Sequence, residues 1–146
     1  VSVDLSSDGN RLVIGASHRD EGASNSGEVR VFEWNGTYWS QMGADLNGPS
    51  ANSYFGYSVA MSADGATQLA IGRVSSQVAH LWRSIDSGAT WTQVTVTGAA
   101  DAWLRVAVSN DGTRQTAVDA FSIWISSDSG ATWTEASSFT RTTASL

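Results

Sequence analysis

Residues 58–65, Ser58-Val59-Ala60-Met61-Ser62-Ala63-Asp64-Gly65, have two close relatives elsewhere in the same chain. Ser2 to Gly9 read S-V-D-L-S-S-D-G, and Arg105 to Gly112 read R-V-A-V-S-N-D-G. In each, apolar residues alternate with small or polar ones (Val3/Leu5, Val59/Met61, Val106/Val108) and run into an Asp-Gly pair. Successive side chains of a strand point to opposite faces, and Asp-Gly suits a tight turn. The pattern therefore predicts a strand entering a hairpin. Asp8, Asp64 and Asp111 lie 56 and 47 residues apart, so the hairpin belongs to a repeat.

The residues after each Asp-Gly pair repeat as well. A second short strand is predicted at Leu12-Val13-Ile14-Gly15, Leu69-Ala70-Ile71-Gly72 and Thr116-Ala117-Val118. A third reads Glu28 to Phe32, Gln77 to Trp82 and Phe121 to Ile125, and a fourth begins at Trp39, Trp91 and Trp133. Four short strands in about 40–50 residues, with little helical signal, are the size and content of a propeller blade. A β-sandwich built of meanders is the alternative, but a sandwich need not repeat its hairpin chemistry. The expected fold is all-β, with three four-stranded antiparallel blades at 1–53, 54–100 and 101–146.

Composition bounds the function. The chain has 146 residues, a net charge of −6, eight Arg and no Lys among its basic residues, no Cys and seven Trp. An acidic chain without a basic stripe argues against nucleic acid and anionic membrane surfaces as partners. The lack of Cys excludes disulfides, thiol catalysis and Cys-ligated zinc. No apolar run approaches the ~20 residues that span a bilayer as a helix. The opening Val-Ser-Val-Asp-Leu carries neither an initiator Met nor a signal peptide, which reads as a processed chain or a fragment.

The most specific motif occurs twice. Ser84 to Trp91 read S-I-D-S-G-A-T-W and Ser126 to Trp133 read S-S-D-S-G-A-T-W, so Ser84, Asp86, Gly88, Thr90 and Trp91 correspond to Ser126, Asp128, Gly130, Thr132 and Trp133. An Asp carboxylate closes a turn by accepting backbone N–H bonds, Gly takes a positive φ, and Trp can bury its ring against a neighbouring unit. The motif resembles the Asp-box, or BNR, repeat of sialidases and of many non-enzymatic propellers. That resemblance implies a structural turn between a blade's third and fourth strands, away from the family's active site. The first unit differs, since Trp34-Asn35-Gly36-Thr37-Tyr38-Trp39 is a short Asn-Gly hairpin. Its surroundings resemble the FG-GAP repeat of integrin-type propellers, with Phe55-Gly56 as the F-G start and Gly15-Ala16-Ser17 near the G-A-P end. The acidic calcium loop of that family is missing, and no metal or other cofactor is expected.

A closed propeller usually needs about four to eight blades. Three units alone leave exposed faces, so completion by self-association, by other blades of a longer chain, or within a fibre is expected. The expected role is a non-catalytic extracellular module for structural assembly, adhesion or recognition. The alternative is a propeller lectin whose Trp-lined grooves bind glycans, with Trp34 and Trp103 as candidate contacts because they stand outside the repeated Trp positions 39, 91 and 133. A sialidase-like hydrolase comes third. Arg73, Arg83, Arg105 and Arg114 with Tyr38, Tyr54 and Tyr57 supply residue types for gripping and attacking a sialoside, but none lies in a recognisable family motif. His18 and His80 are isolated, and Asp20, Glu21 and Asn25 in the polar loop 18–27 read as solvated rather than as cation ligands. Asn35-Gly36-Thr37 is an N-glycosylation sequon on an expected hairpin tip, consistent with an extracellular or cell-surface location.

Overall fold

The computed structural model of the chain describes residues 1–20, 23–72, 80–99 and 103–138. Among these residues, twelve strands form three sheets. Strands β1 (Ser2–Leu5), β2 (Arg11–Ala16), β3 (Glu28–Trp34) and β4 (Trp39–Asn47) make blade 1. Blade 2 contains β5 (Ser58–Met61), β6 (Gln68–Ile71), β7 (Leu81–Ser84) and β8 (Thr92–Val94), and blade 3 contains β9 (Arg105–Val108), β10 (Gln115–Val118), β11 (Ser122–Ser126) and β12 (Thr134–Ser138). Every sheet is an antiparallel meander in chain order, as hairpins linking neighbouring strands dictate. The start of blade 2's expected third strand, residues 77–79, lies outside the described residues.

The first strands of the blades stand side by side: β1 lies against β5, and β5 against β9. Each sheet then runs outward from its first strand, which is the arrangement of consecutive propeller blades. Alternation assigns each residue to a face. Val13, Val29 and Val31 of blade 1 meet Val59, Met61 and Ala70 of blade 2 in one core cluster, which also holds Phe55. Leu69, Ile71 and Leu81 on the opposite face of blade 2 meet Ala117 and Trp124 of blade 3 in a second cluster, with Val106 and Val108 packed against it. Blade 2 is apolar on both faces because both are covered. The cores of this molecule are therefore its two blade–blade interfaces.

One close approach requires glycine. A Cβ on Gly15 would stand 2.2 Å from the Gly56 carbonyl oxygen, so β2 and the segment entering β5 can meet only without a side chain at that point. Phe55, beside this contact, is 1% exposed and fills the first core. The two segments of the FG-GAP-like pattern thus touch across a blade boundary.

Candidate functional site

Five turns share one chemistry. After the first strand of each blade, a Ser hydroxyl donates to the Asp two residues on: Ser6 to Asp8 at 2.6 Å, Ser62 to Asp64 at 2.6 Å and Ser109 to Asp111 at 2.5 Å. The same Asp oxygen accepts the N–H of Asn10, Ala66 or Thr113, and the Ser oxygen accepts the N–H of Arg11, Thr67 or Arg114. The Ser-x-Asp-Gly sequence saturates its own backbone and closes the hairpin locally.

The two S-x-D-x-G-x-T-W turns adopt a longer variant. Gly88 N–H donates to Ser84 Oγ at 2.9 Å, while Thr90 gives its N–H to Asp86 Oδ1 at 2.8 Å and its hydroxyl to Asp86 Oδ2. Gly130, Ser126, Thr132 and Asp128 repeat this arrangement bond for bond. Each such turn is tied to the first turn of its own blade, through Ser87 N–H to Ala66 O and Ser129 N–H to Thr113 O, both 3.0 Å.

These bonds favour the charged carboxylate. The Thr90 hydroxyl chiefly holds Asp86 below the ordinary carboxylate value, as the Thr132 hydroxyl does for Asp128 and the Ser6 and Ser62 hydroxyls do for Asp8 and Asp64. The Ser109 hydroxyl, aided by Thr113, brings Asp111 down to about 2. All five therefore stay ionised at neutral pH, engaged with their own turns.

The tryptophans divide by interface. Trp91 packs against the core between blades 1 and 2, and Trp133 against that between blades 2 and 3, with its indole N–H on Gly130 O at 3.2 Å. Trp39, at the equivalent position in blade 1, is 39% exposed, because no blade of the described residues covers that face. Trp34 is also exposed and lies beside Trp39 with ring centroids 5.6 Å apart. Trp103 corrects the expectation of an exposed contact. It is 2% exposed and belongs to the core between blades 2 and 3, where the segment entering β9 drives the indole inward. Only its lack of a repeat equivalent had set it apart, and that says nothing about burial.

The remaining candidates do not gather into one cleft. Arg105 lies at one end of the β9–β10 hairpin, paired with Val118, and Arg114 sits at the turn end. Arg105 lies over the Tyr57 ring at 5.2 Å, and Arg83 binds the Ser129 carbonyl. Tyr38 is exposed at the blade 1 hairpin tip next to the sequon residue Asn35, and Tyr54 meets His18 edge-on at 5.3 Å. His80 Nδ1 is 2.8 Å from the Gln93 amide. Asp20 accepts the Asn25 N–H, while Arg73 and Glu21 lie outside the described residues. Sequence reasoning missed the residues that bridge the blades: Ser7, Ala63 and Asn110, each one place before its turn Asp, and Arg11, three places after Asp8. Those fixed offsets were the available signal.

No family model and no curated protein matches the chain. Solved structures do. A structure of YCF48 bound to D1 peptide aligns at 14% identity with a TM-score of 0.61, over 92% of this chain and 39% of that one. The GH74 enzyme of Niastella koreensis aligns at 17% identity and TM-score 0.58, over 92% of this chain and 17% of the enzyme. The GH74 xyloglucanase of Xanthomonas campestris aligns at 22% and 0.57, over 92% and 18%. These are β-propeller proteins, and at such identities the likeness carries the fold alone. The chain spans less than two fifths of the length of each, and its three blades are fewer than the about four to eight that usually close a propeller.

Proposed function

We propose that the chain is a non-catalytic, extracellular propeller module for assembly, adhesion or recognition, with Asp-box-like turns in blades 2 and 3 and an FG-GAP-like junction between blades 1 and 2. The observation that carries this reading is the apolar character of the two uncovered end faces. Val3 and Leu5 are 62% and 48% exposed on blade 1, and Ile125 is 41% exposed on blade 3. A strand frame that leaves such residues bare gains by covering them. The five turn carboxylates support the non-catalytic part, since each is engaged in closing its own turn. The sequon on the exposed blade 1 hairpin supports the extracellular part. Light scattering tests it. A particle heavier than one chain is expected, and a stable soluble monomer of 15.4 kDa would sink the reading.

A second reading is favoured by the exposed Trp34–Trp39 pair with Tyr38 alongside, a surface on which sugar C–H faces could stack. A glycan array without hits removes it. The third, a sialidase-like hydrolase, requires turnover of a fluorogenic sialoside that is lost on Arg105→Ala.

A further inference from the structure

The two internal interfaces obey one register. The N–H of Ser7 donates to the carbonyl of Ala63 at 2.8 Å, and the N–H of Ala63 donates to the carbonyl of Asn110 at 2.9 Å. Ser7, Ala63 and Asn110 each immediately precede the Asp of an Asp-Gly turn. These bonds form a ladder that passes from each blade to the next. A second rule concerns the residue three places after that Asp. Arg11 of blade 1 lies across Gly65 of blade 2, its Cδ 2.6 Å from where a Cβ on that glycine would stand, and its Nη1 donates to the Asp64 carbonyl at 2.9 Å. Thr67 of blade 2 lies across Gly112 of blade 3 in the same way.

Both rules have loose ends, and the ends match. Arg114 occupies the Arg11 position in blade 3 and is exposed. Gly9 occupies the Gly65 position in blade 1, and no atom of the described residues lies within 4 Å of where its Cβ would stand. The apolar faces match too. Val3, Leu5 and Ile14 on the open face of blade 1 correspond by strand register to Val59, Met61 and Ala70, which blade 1 covers, while Arg30, the partner of Ile14, stands in the place of Trp82. Thr116, Val118 and Ile123 on the open face of blade 3 correspond to Leu69, Ile71 and Leu81, which blade 3 covers.

We propose that the open face of blade 3 binds the open face of blade 1 in a second copy of this chain, in the register of the internal interfaces. The Asn110 N–H then donates to the Ser7 carbonyl of the second copy, and Arg114 covers its Gly9 beside the Asp8 carboxylate. Opposite charges meet there as Arg11 meets Asp64 within the chain. Two copies joined at both ends close a six-bladed ring, within the usual range of about four to eight blades. This rests on the assembly reading above and adds its partner and register.

Sedimentation of the full chain and of Arg114→Glu tests it, alongside oxidation of a mixture of two single-cysteine chains, Ser7→Cys and Asn110→Cys. The chain has no other cysteine. The expected result is a two-chain particle that Arg114→Glu weakens by about tenfold or more, since a glutamate would face Asp8, with unchanged circular dichroism. The mixture should give a disulfide between unlike chains in preference to either like pair. An assembly indifferent to Arg114→Glu overturns the register and leaves assembly standing. A monomer at every concentration overturns both.

Discussion

Arg83 Nη1 lies 2.6 Å from the carbonyl oxygen of Ser129, so the third strand of blade 2 holds the last turn of blade 3 by a charge-assisted bond. The stem of the side chain also crowds Gly130, with Cδ 2.9 Å from where a Cβ would stand. Replacing Arg83 with Met keeps much of the stem and removes the donor. A hydrogen bond to a charged group is worth about 1.5–3 kcal/mol. Urea unfolding of Arg83→Met should show a loss in that range, and an unchanged midpoint would mean the bond carries no net stability.

Ser84 and Asp86 test the turn chemistry within one blade. The buried Ser84 hydroxyl accepts from Gly88 and donates to Asp86, so Ser84→Ala strands a buried N–H and should cost about 1–3 kcal/mol. Ser126→Ala should behave alike, because its turn has the same bonds. A large difference between these two variants in thermal unfolding would contradict that equivalence.

Acid should loosen the fold through these same turns. Asp111 is lowered to about 2, and Asp8, Asp64, Asp86 and Asp128 are lowered as well. A carboxylate whose folded pKa is depressed contributes stability that is fully present above the unfolded value of about 3.9 and is lost as pH falls toward the folded value. The melting temperature should fall between about pH 4 and pH 2 on account of these groups, and Asp111→Asn should flatten that fall. An equally steep fall in the variant would count against Asp111 as a contributor.

Trp103 and Trp34 should respond oppositely to truncation. Trp103→Ala empties a filled position in the core between blades 2 and 3 and should cost about 3–5 kcal/mol. Trp34→Ala removes an exposed ring whose neighbour is Trp39, at a cost of at most about 1.5 kcal/mol. Chemical denaturation of both variants checks the contrast, and equal losses would refute the assigned environments.

Much of the fold was legible because its instructions are local. Ser62 to Gly65 close a hairpin with bonds spanning a few residues, so the sequence carries the turn, and the alternation of Val59 and Met61 carries the strand beside it. The candidate site was less legible. Trp39, Trp91 and Trp133 share a sequence position, yet only Trp39 is left exposed, since exposure depends on whether another blade stands opposite. Trp103 lacks a repeat equivalent and still fills a core.

By itself the sequence determined the number of blades, the turn chemistry and the alternation of faces, all set by contacts within a hairpin. Only the tertiary structure decided which faces meet, that Arg11 crosses to Gly65, and that the bond from Ser7 to Ala63 continues to Asn110. Those contacts join residues about fifty positions apart, and their geometry comes from the stacking of whole sheets. The same stacking leaves Gly9 of blade 1 and Arg114 of blade 3 on the two outer faces of the described blades.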